Sequence, residues 1–135
     1  MPADINVGQI TEALNDKTDR DLQNINTVAG ADAVVEYQMP TAENGYTWYR
    51  KYKSGWVEQG GFLPKTSGDV QNTVVLPVEM ASSVYNITKT ATDETVSGGV
   101  TWFCYTITNQ TTTGFKTYTG TNWAVYWKVE GMAAQ

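Results

Sequence analysis

An all-β fold, an antiparallel β-sandwich of about eight strands, is what this sequence predicts, preceded by a short N-terminal helical stalk. Three observations predict it. From residue 41 onward Thr, Gly, Asn, Tyr, Trp and Val dominate, a composition of strands and their turns. Turn residues recur through that part at roughly 8–12-residue spacing. Residues 1–28 differ, because their apolar positions follow a helical period. At 135 residues the chain is one domain with room for a short appendage. The expected division is a stalk over 1–32 and a β-sandwich over 33–135.

In the N-terminal part Ile10, Leu14, Leu22 and Ile25 share one helical face, with a polar gap at Thr18. Asp16, Lys17, Asp19, Arg20 and Asp21 cover the other sides. A stripe this narrow cannot bury itself in a monomer. It fits the seam of a short coiled coil, and therefore an oligomer; an amphipathic helix lying on the β domain is the other reading. The small residues of VAGAD (28–32) mark the boundary.

Residues 34–38 (VVEYQ) form the first expected strand, stopped by Met39-Pro40, since proline cannot donate to a ladder. TAENG (41–45) is a loop. The stretch NGYTWYRKYKSGWVEQGG (44–61) reads as a β-hairpin turning at Ser54-Gly55. Strand alternation sends Trp48, Arg50 and Tyr52 to one side and Tyr49 and Lys51 to the other, so neither face is cleanly apolar. Gly60-Gly61 predicts a bulge or a tight exit.

Further strands are expected at 73–78 (TVVLPV), with Pro77 marking an edge or bulge, and at 84–88 (VYNIT). A polar loop is expected over 90–99. VTWFCYTIT (100–108) is the most apolar strand and the expected centre of a sheet. A turn over 109–114 and a short strand over 115–118 precede a turn over 119–122. In the last strand Trp123, Val125, Trp127 and Val129 face one way, opposite Ala124, Tyr126, Lys128 and Glu130.

The composition excludes several chemistries. With no His and one Cys, Cys104, the chain has no Ser-His or Cys-His nucleophile pair, no intramolecular disulfide and no multi-cysteine zinc site. A net charge of −5 argues against nucleic acid and anionic membrane surfaces as partners. No apolar run approaches the roughly 20 residues of a membrane span, and the N-terminus lacks the pattern of a signal peptide. Glu36, Glu58, Asp69, Glu79, Asp93, Glu94 and Glu130 are the acid/base candidates, but none forms a motif, so we expect no catalysis and no cofactor or metal. Five Trp, eight Tyr and three Phe exceed what one small core hides. The outward set is Tyr105, Tyr118 and Tyr126, with Tyr85 behind it, and the later loops add Asn109, Thr112 and Asn122 as ligand-binding candidates.

Two stretches carry a family resemblance. The hairpin NGYTWYRKYKSGWVEQGG is similar to the W-Y-[RK]-x-[YF]-x-[SD]-G-W-[IV]-[EQ]-Q-G-G hairpin of bacteriophage tail-fibre tips. LNDKTDRDLQNIN (14–26) resembles the K-x-D-x-D-L-x-N-[IV] segments that precede such tips, and Thr113-Gly114-Phe115 with the Trp-rich last strand also fit. The resemblance covers residues 10–130. It implies a homotrimeric, mainly antiparallel β tip of a virion tail fibre, acting outside the cell and held to other virion tail proteins. Such a tip adsorbs to a bacterial surface glycan or outer-surface protein. Tail fibres are long, so the chain is expected to be a distal fragment or an unusually short fibre. Two other functions stay open: a structural trimerisation cap, and a carbohydrate-active enzyme using paired carboxylates. The hairpin is expected to be scaffold, with the ligand at the loops 90–99, 109–114 and 119–122.

Overall fold

The computed structural model describes residues 32–93 and 106–135. The chain divides into two units, Met1–Ala33 and Val34–Gln135, and the architecture below is that of the second. Its strands are β1 (Val34–Gln38), β2 (Trp48–Tyr52), β3 (Trp56–Leu63), β4 (Val70–Val75), β5 (Asn86–Asp93), β6 (Thr108–Thr111), β7 (Gly114–Thr119) and β8 (Trp123–Met132). They form a five-stranded sheet in the order β1-β2-β3-β8-β5 and a three-stranded sheet in the order β4-β7-β6, with antiparallel pairing throughout. The unit is all-β, as expected. The seam residues Ile10, Leu14, Leu22 and Ile25 lie outside the described residues, and no described helix is long and apolar enough to cross a membrane.

β8 organises the larger sheet. Its alternation follows the sequence from Val125 onward, with Trp123, Val125, Trp127 and Val129 buried, Tyr126 exposed and Lys128 and Glu130 half-buried, while Ala124, expected on the outer face, is buried as well. β3 pairs along one side of it from Trp56↔Met132 to Leu63↔Val125. β5 pairs along the other from Asn86↔Glu130 to Asp93↔Trp123. The inner faces of the two sheets share one core: Val57 from β3, Trp127 and Val129 from β8, Val74 from β4 and Phe115 from β7, with Leu76, Met80 and Ala133. Phe115 and Trp127 join the layers edge to face, with ring centroids 5.8 Å apart at 83°. Each fully buried Val or Phe here contributes about 1.5–3 kcal/mol.

Three polar side chains inside the sandwich, Gln59, Lys89 and Asn72, are paired, whereas the indole Nε1 of Trp123 is buried with no hydrogen-bond partner among the described residues. Gln59 is fully buried; its Nε2 donates to Val78 O at 2.9 Å and its Oε1 accepts from Val78 N at 2.9 Å. One side chain thereby does the work of a strand partner for the segment after β4. Lys89 enters from β5, and its ammonium donates to Thr117 Oγ1 at 2.7 Å and Thr106 O at 3.0 Å. Asn72 Nδ2 donates to Thr119 Oγ1 at 2.7 Å.

Several expectations are corrected. The strand expected at 73–78 is Val70–Val75, and Pro77 lies just beyond it, where its missing N–H costs no ladder bond. The strand expected at 84–88 starts at Asn86 and continues through Asp93, so residues 90–93 of the expected loop are paired strand. Thr88 and Thr90 carry the alternation there: they are exposed, Ile87, Lys89 and Ala91 are half-buried, and β-branched threonines suit a pleated edge. Residues 109–111, expected as turn, belong to β6, and Thr112-Thr113 alone make the connection to β7. Of the strand expected at 100–108, residues 100–105 lie outside the described residues, and Thr108 begins β6. Finally, Gly60-Gly61 is no bulge, because β3 keeps unbroken register with β8 through both residues.

The two glycines instead seat two indoles. A Cβ on Gly60 would fall 2.7 Å from Cε2 and Nε1 of Trp48, and one on Gly61 would fall 2.7–2.9 Å from the ring of Trp127. Trp48 is the cross-strand partner of Gly60, and Trp127 that of Gly61. Successive residues point to opposite faces, so one indole is held on each side of the sheet.

Candidate functional site

The outer face of the five-stranded sheet carries the site. Alternation that puts Val57, Gln59, Trp127 and Val129 inside puts Trp48 of β2, Phe62 of β3 and Tyr126 of β8 outside. Phe62 and Tyr126 are direct cross-strand partners, with ring centroids 4.8 Å apart at 41°. Tyr46 comes from the β1–β2 connection and meets Phe62 edge to face at 6.2 Å and 80°.

That connection is built to present Tyr46. Asn44 Oδ1 accepts from Thr41 N at 3.0 Å, Asn44 Nδ2 donates to Met39 O at 2.9 Å, and Tyr46 N donates to Thr41 O at 2.8 Å. Gly45 and Tyr46 then both take positive φ, 70° and 59°. Left-handed backbone is ordinary for glycine and costly for tyrosine, and such strain collects at functional positions.

These rings, with Pro40 and the backbone at Gly61, line a cleft of about 480 Å³. Among the described residues no carboxylate, ammonium or guanidinium lines it. Tyr46 is 49% and Tyr126 53% exposed, so large aromatic surface faces solvent beside polar phenol tips. A second cleft of about 310 Å³ shares Pro40 and Trp48 and is lined further by Val34, Tyr37, Met39 and Arg50. Trp48 is thus the wall between an uncharged cleft and one with a guanidinium.

Beyond Tyr126 the same face turns polar. Thr90 pairs across from Tyr126, Thr88 from Lys128 and Asn86 from Glu130, and all three β5 side chains are exposed. Glu58 and Glu130 stand directly opposite each other across β3 and β8. Each carboxylate has its own neighbour: Tyr52 Oη donates to Glu58 Oε2 at 3.2 Å, and Lys128 Nζ lies 3.7 Å from Glu130 Oε1. The groove beside Glu130 is lined by Trp56, Tyr85, Asn86 and Met132, and not by Glu58. Among the described residues no group of three His, Cys, Asp or Glu could hold a metal ion.

Two tyrosines outside the larger cleft have phenols shifted upward. Tyr49 Oη donates to Glu36 Oε1 at 2.7 Å; that bond, then burial, then the carboxylate's charge hold its pKa above the ordinary value. Burial raises Tyr85, whose Oη donates to Thr111 O at 2.8 Å and Gly114 O at 3.0 Å.

The residues expected to bind ligand are dispersed. Tyr126 lines the aromatic cleft. Tyr118 is half-buried in β7 of the smaller sheet, opposite Gln71. Asn109 and Thr112 share the β6–β7 hairpin, where Asn109 has φ 51° and Thr112 Oγ1 donates to Glu79 Oε1 at 3.2 Å. Asn122 is exposed in the β7–β8 connection, and Tyr105 lies outside the described residues. The cleft residues that sequence reasoning missed are Pro40, Tyr46, Trp48 and Phe62. A signal for two of them was present in strand alternation: Phe62 sits at an even position of β3, whose odd positions Val57 and Gln59 enter the core, and Trp48 alternates in β2 with Tyr49, which packs against the core.

No family model and no curated protein matches the chain. Among solved structures it is similar to an N-truncated R2-type pyocin tail fiber, at 18% sequence identity and a TM-score of 0.42, over 78% of this chain and 43% of that one. The chain therefore spans less than half of that fibre's length.

Proposed function

We propose that this chain is the distal, receptor-binding part of a phage tail-fibre-type protein, which adsorbs a virion to the bacterial surface without catalysis. The observation that carries the reading is the solvent-facing aromatic cleft of Tyr46, Trp48, Phe62 and Tyr126, on a rigid sheet and with one ring presented by strained backbone. The hairpin that resembles tail-fibre tips supplies Trp48 to this cleft, so the same element is scaffold on its inner face and binding wall on its outer one. The receptor is a surface glycan or surface protein. Three copies per fibre make weak contacts add up, because each later contact is intramolecular. The apolar stripe of Ile10, Leu14, Leu22 and Ile25 supports that trimer, and a monomer in sedimentation at micromolar concentration would rule it out.

The test is adsorption. Fluorescently labelled protein is mixed with a panel of bacterial strains, and Trp48→Ala and Tyr126→Ala are compared with the parent after circular dichroism has established their fold. Cells of susceptible strains should bind the parent and lose about tenfold or more of that binding with either variant, the loss expected for truncating an aromatic anchor. Equal binding by parent and variants would place the receptor site elsewhere.

A further inference from the structure

Resting on the adsorption reading, we infer that the larger cleft takes an uncharged sugar ring, and that the Thr-Asn row of β5 follows the glycan beyond it. A pyranose has a face of C–H groups and a rim of hydroxyls. The cleft matches both, with Trp48, Phe62 and Tyr126 offering π faces and the phenols of Tyr46 and Tyr126 offering donors and acceptors at the edge. Phe62 is braced on two sides, by Tyr46 at 6.2 Å and Tyr126 at 4.8 Å, and Trp48 is seated over Gly60. Rings held in this way lose little freedom on binding.

Charge decides which sugars fit. The chain carries a net charge of −5, and no cationic side chain among the described residues lines this cleft. Lys128, two residues along β8 from Tyr126, lies 3.7 Å from Glu130, and Glu130 faces Glu58. Arg50 lines only the smaller cleft on the far side of Trp48. A uronic acid or sugar phosphate would enter the larger cleft against the field of the protein and find no counter-ion there. A neutral hexose meets no such cost. The exposed Asn86, Thr88 and Thr90, spaced two residues apart along β5, offer an amide and two hydroxyls to successive hydroxyls of a longer chain.

The experiment uses matched probes on the whole chain: the methyl glycosides of glucose and of glucuronate, galactose and galacturonate, and their oligosaccharides. Binding is read by saturation-transfer NMR and by the shift of the Trp48 indole N–H resonance. At least one neutral probe should shift that resonance and bind about fivefold or more tightly than its acidic partner. Trp48→Ala should weaken it about tenfold, with a smaller loss for Thr90→Val that grows with oligosaccharide length. Equal or tighter binding of the acidic partner, or binding abolished by Arg50→Gln, would overturn the assignment. If cells bind through the cleft yet no neutral probe shifts Trp48, the sugar assignment fails while adsorption stands. If Trp48→Ala dissociates an oligomer and no probe binds, the face is an interface between copies and the assignment fails with the cleft.

Discussion

Gly61→Ala tests the idea that a glycine pair, rather than a bulge, lets this sheet hold an indole on each face. A Cβ at residue 61 would lie 2.7, 2.8 and 2.9 Å from Cζ2, Cε2 and Nε1 of Trp127. Carbon contacts settle at about 3.5–4.0 Å, so the indole would have to retreat by roughly 0.7–1 Å. It has little space for that, being 4% exposed and packed edge-on against Phe115 in the shared core. Overpacking of this kind costs about 1–3 kcal/mol. Replacing a strand glycine returns roughly 0.5–1 kcal/mol of backbone entropy, because residue 61 is outside the left-handed region. The net expectation is a loss of about 0.5–2 kcal/mol, seen as a lower urea midpoint at unchanged slope and a fall in Tm of several degrees. The origin is checked by a double-mutant cycle with Trp127→Phe, whose smaller ring retreats from the added methyl. In that background Gly61→Ala should cost about 1 kcal/mol less. A Gly61→Ala protein as stable as the parent, or an identical cost in both backgrounds, would refute the argument.

Gln59→Leu should cost about 2–4 kcal/mol, because it strips Val78 of both a donor and an acceptor inside the structure; a loss below about 0.5 kcal/mol in urea unfolding would show that the two bonds are dispensable. Tyr49 and Tyr85 should ionise above the ordinary phenol range in a phenolate absorbance titration, and Glu36→Gln should bring Tyr49 down while leaving Tyr85 in place. Both pKa values are raised in the folded state, so the linked stability is intact below the unfolded value of about 10 and is lost as pH climbs through the folded values. A stability that rises above pH ~10 would contradict that sign.

What the chain says about itself is local. The alternation of Trp123 to Val129, the stop at Met39-Pro40 and the turn at Ser54-Gly55 are each decided within a few residues by side-chain period and backbone permissiveness. These features locate β8, β1 and the β2–β3 hairpin, and with the spacing of turn residues they give the all-β class. Where threonine replaces apolar residues the signal fades. Thr90 and Thr92 look like loop composition, yet they belong to the strand that completes β8 on its second side.

The site itself required the tertiary pairing. Alternation states which residues of a strand share a face, but not which strand lies opposite or in what register. The register of β3 with β8, across more than sixty intervening residues, puts Phe62 against Tyr126, Glu58 against Glu130 and Gly61 against Trp127. It also decides that Gln59 is core, because a glutamine can be buried only where a backbone needs both its amide groups, and Val78 is that backbone. The aromatic cleft gathers Pro40, Tyr46, Trp48, Phe62 and Tyr126 from four separate segments. Each ring was visible in the sequence as an aromatic residue, and only the pairing of distant strands, with glycines where the indoles needed room, made them one surface.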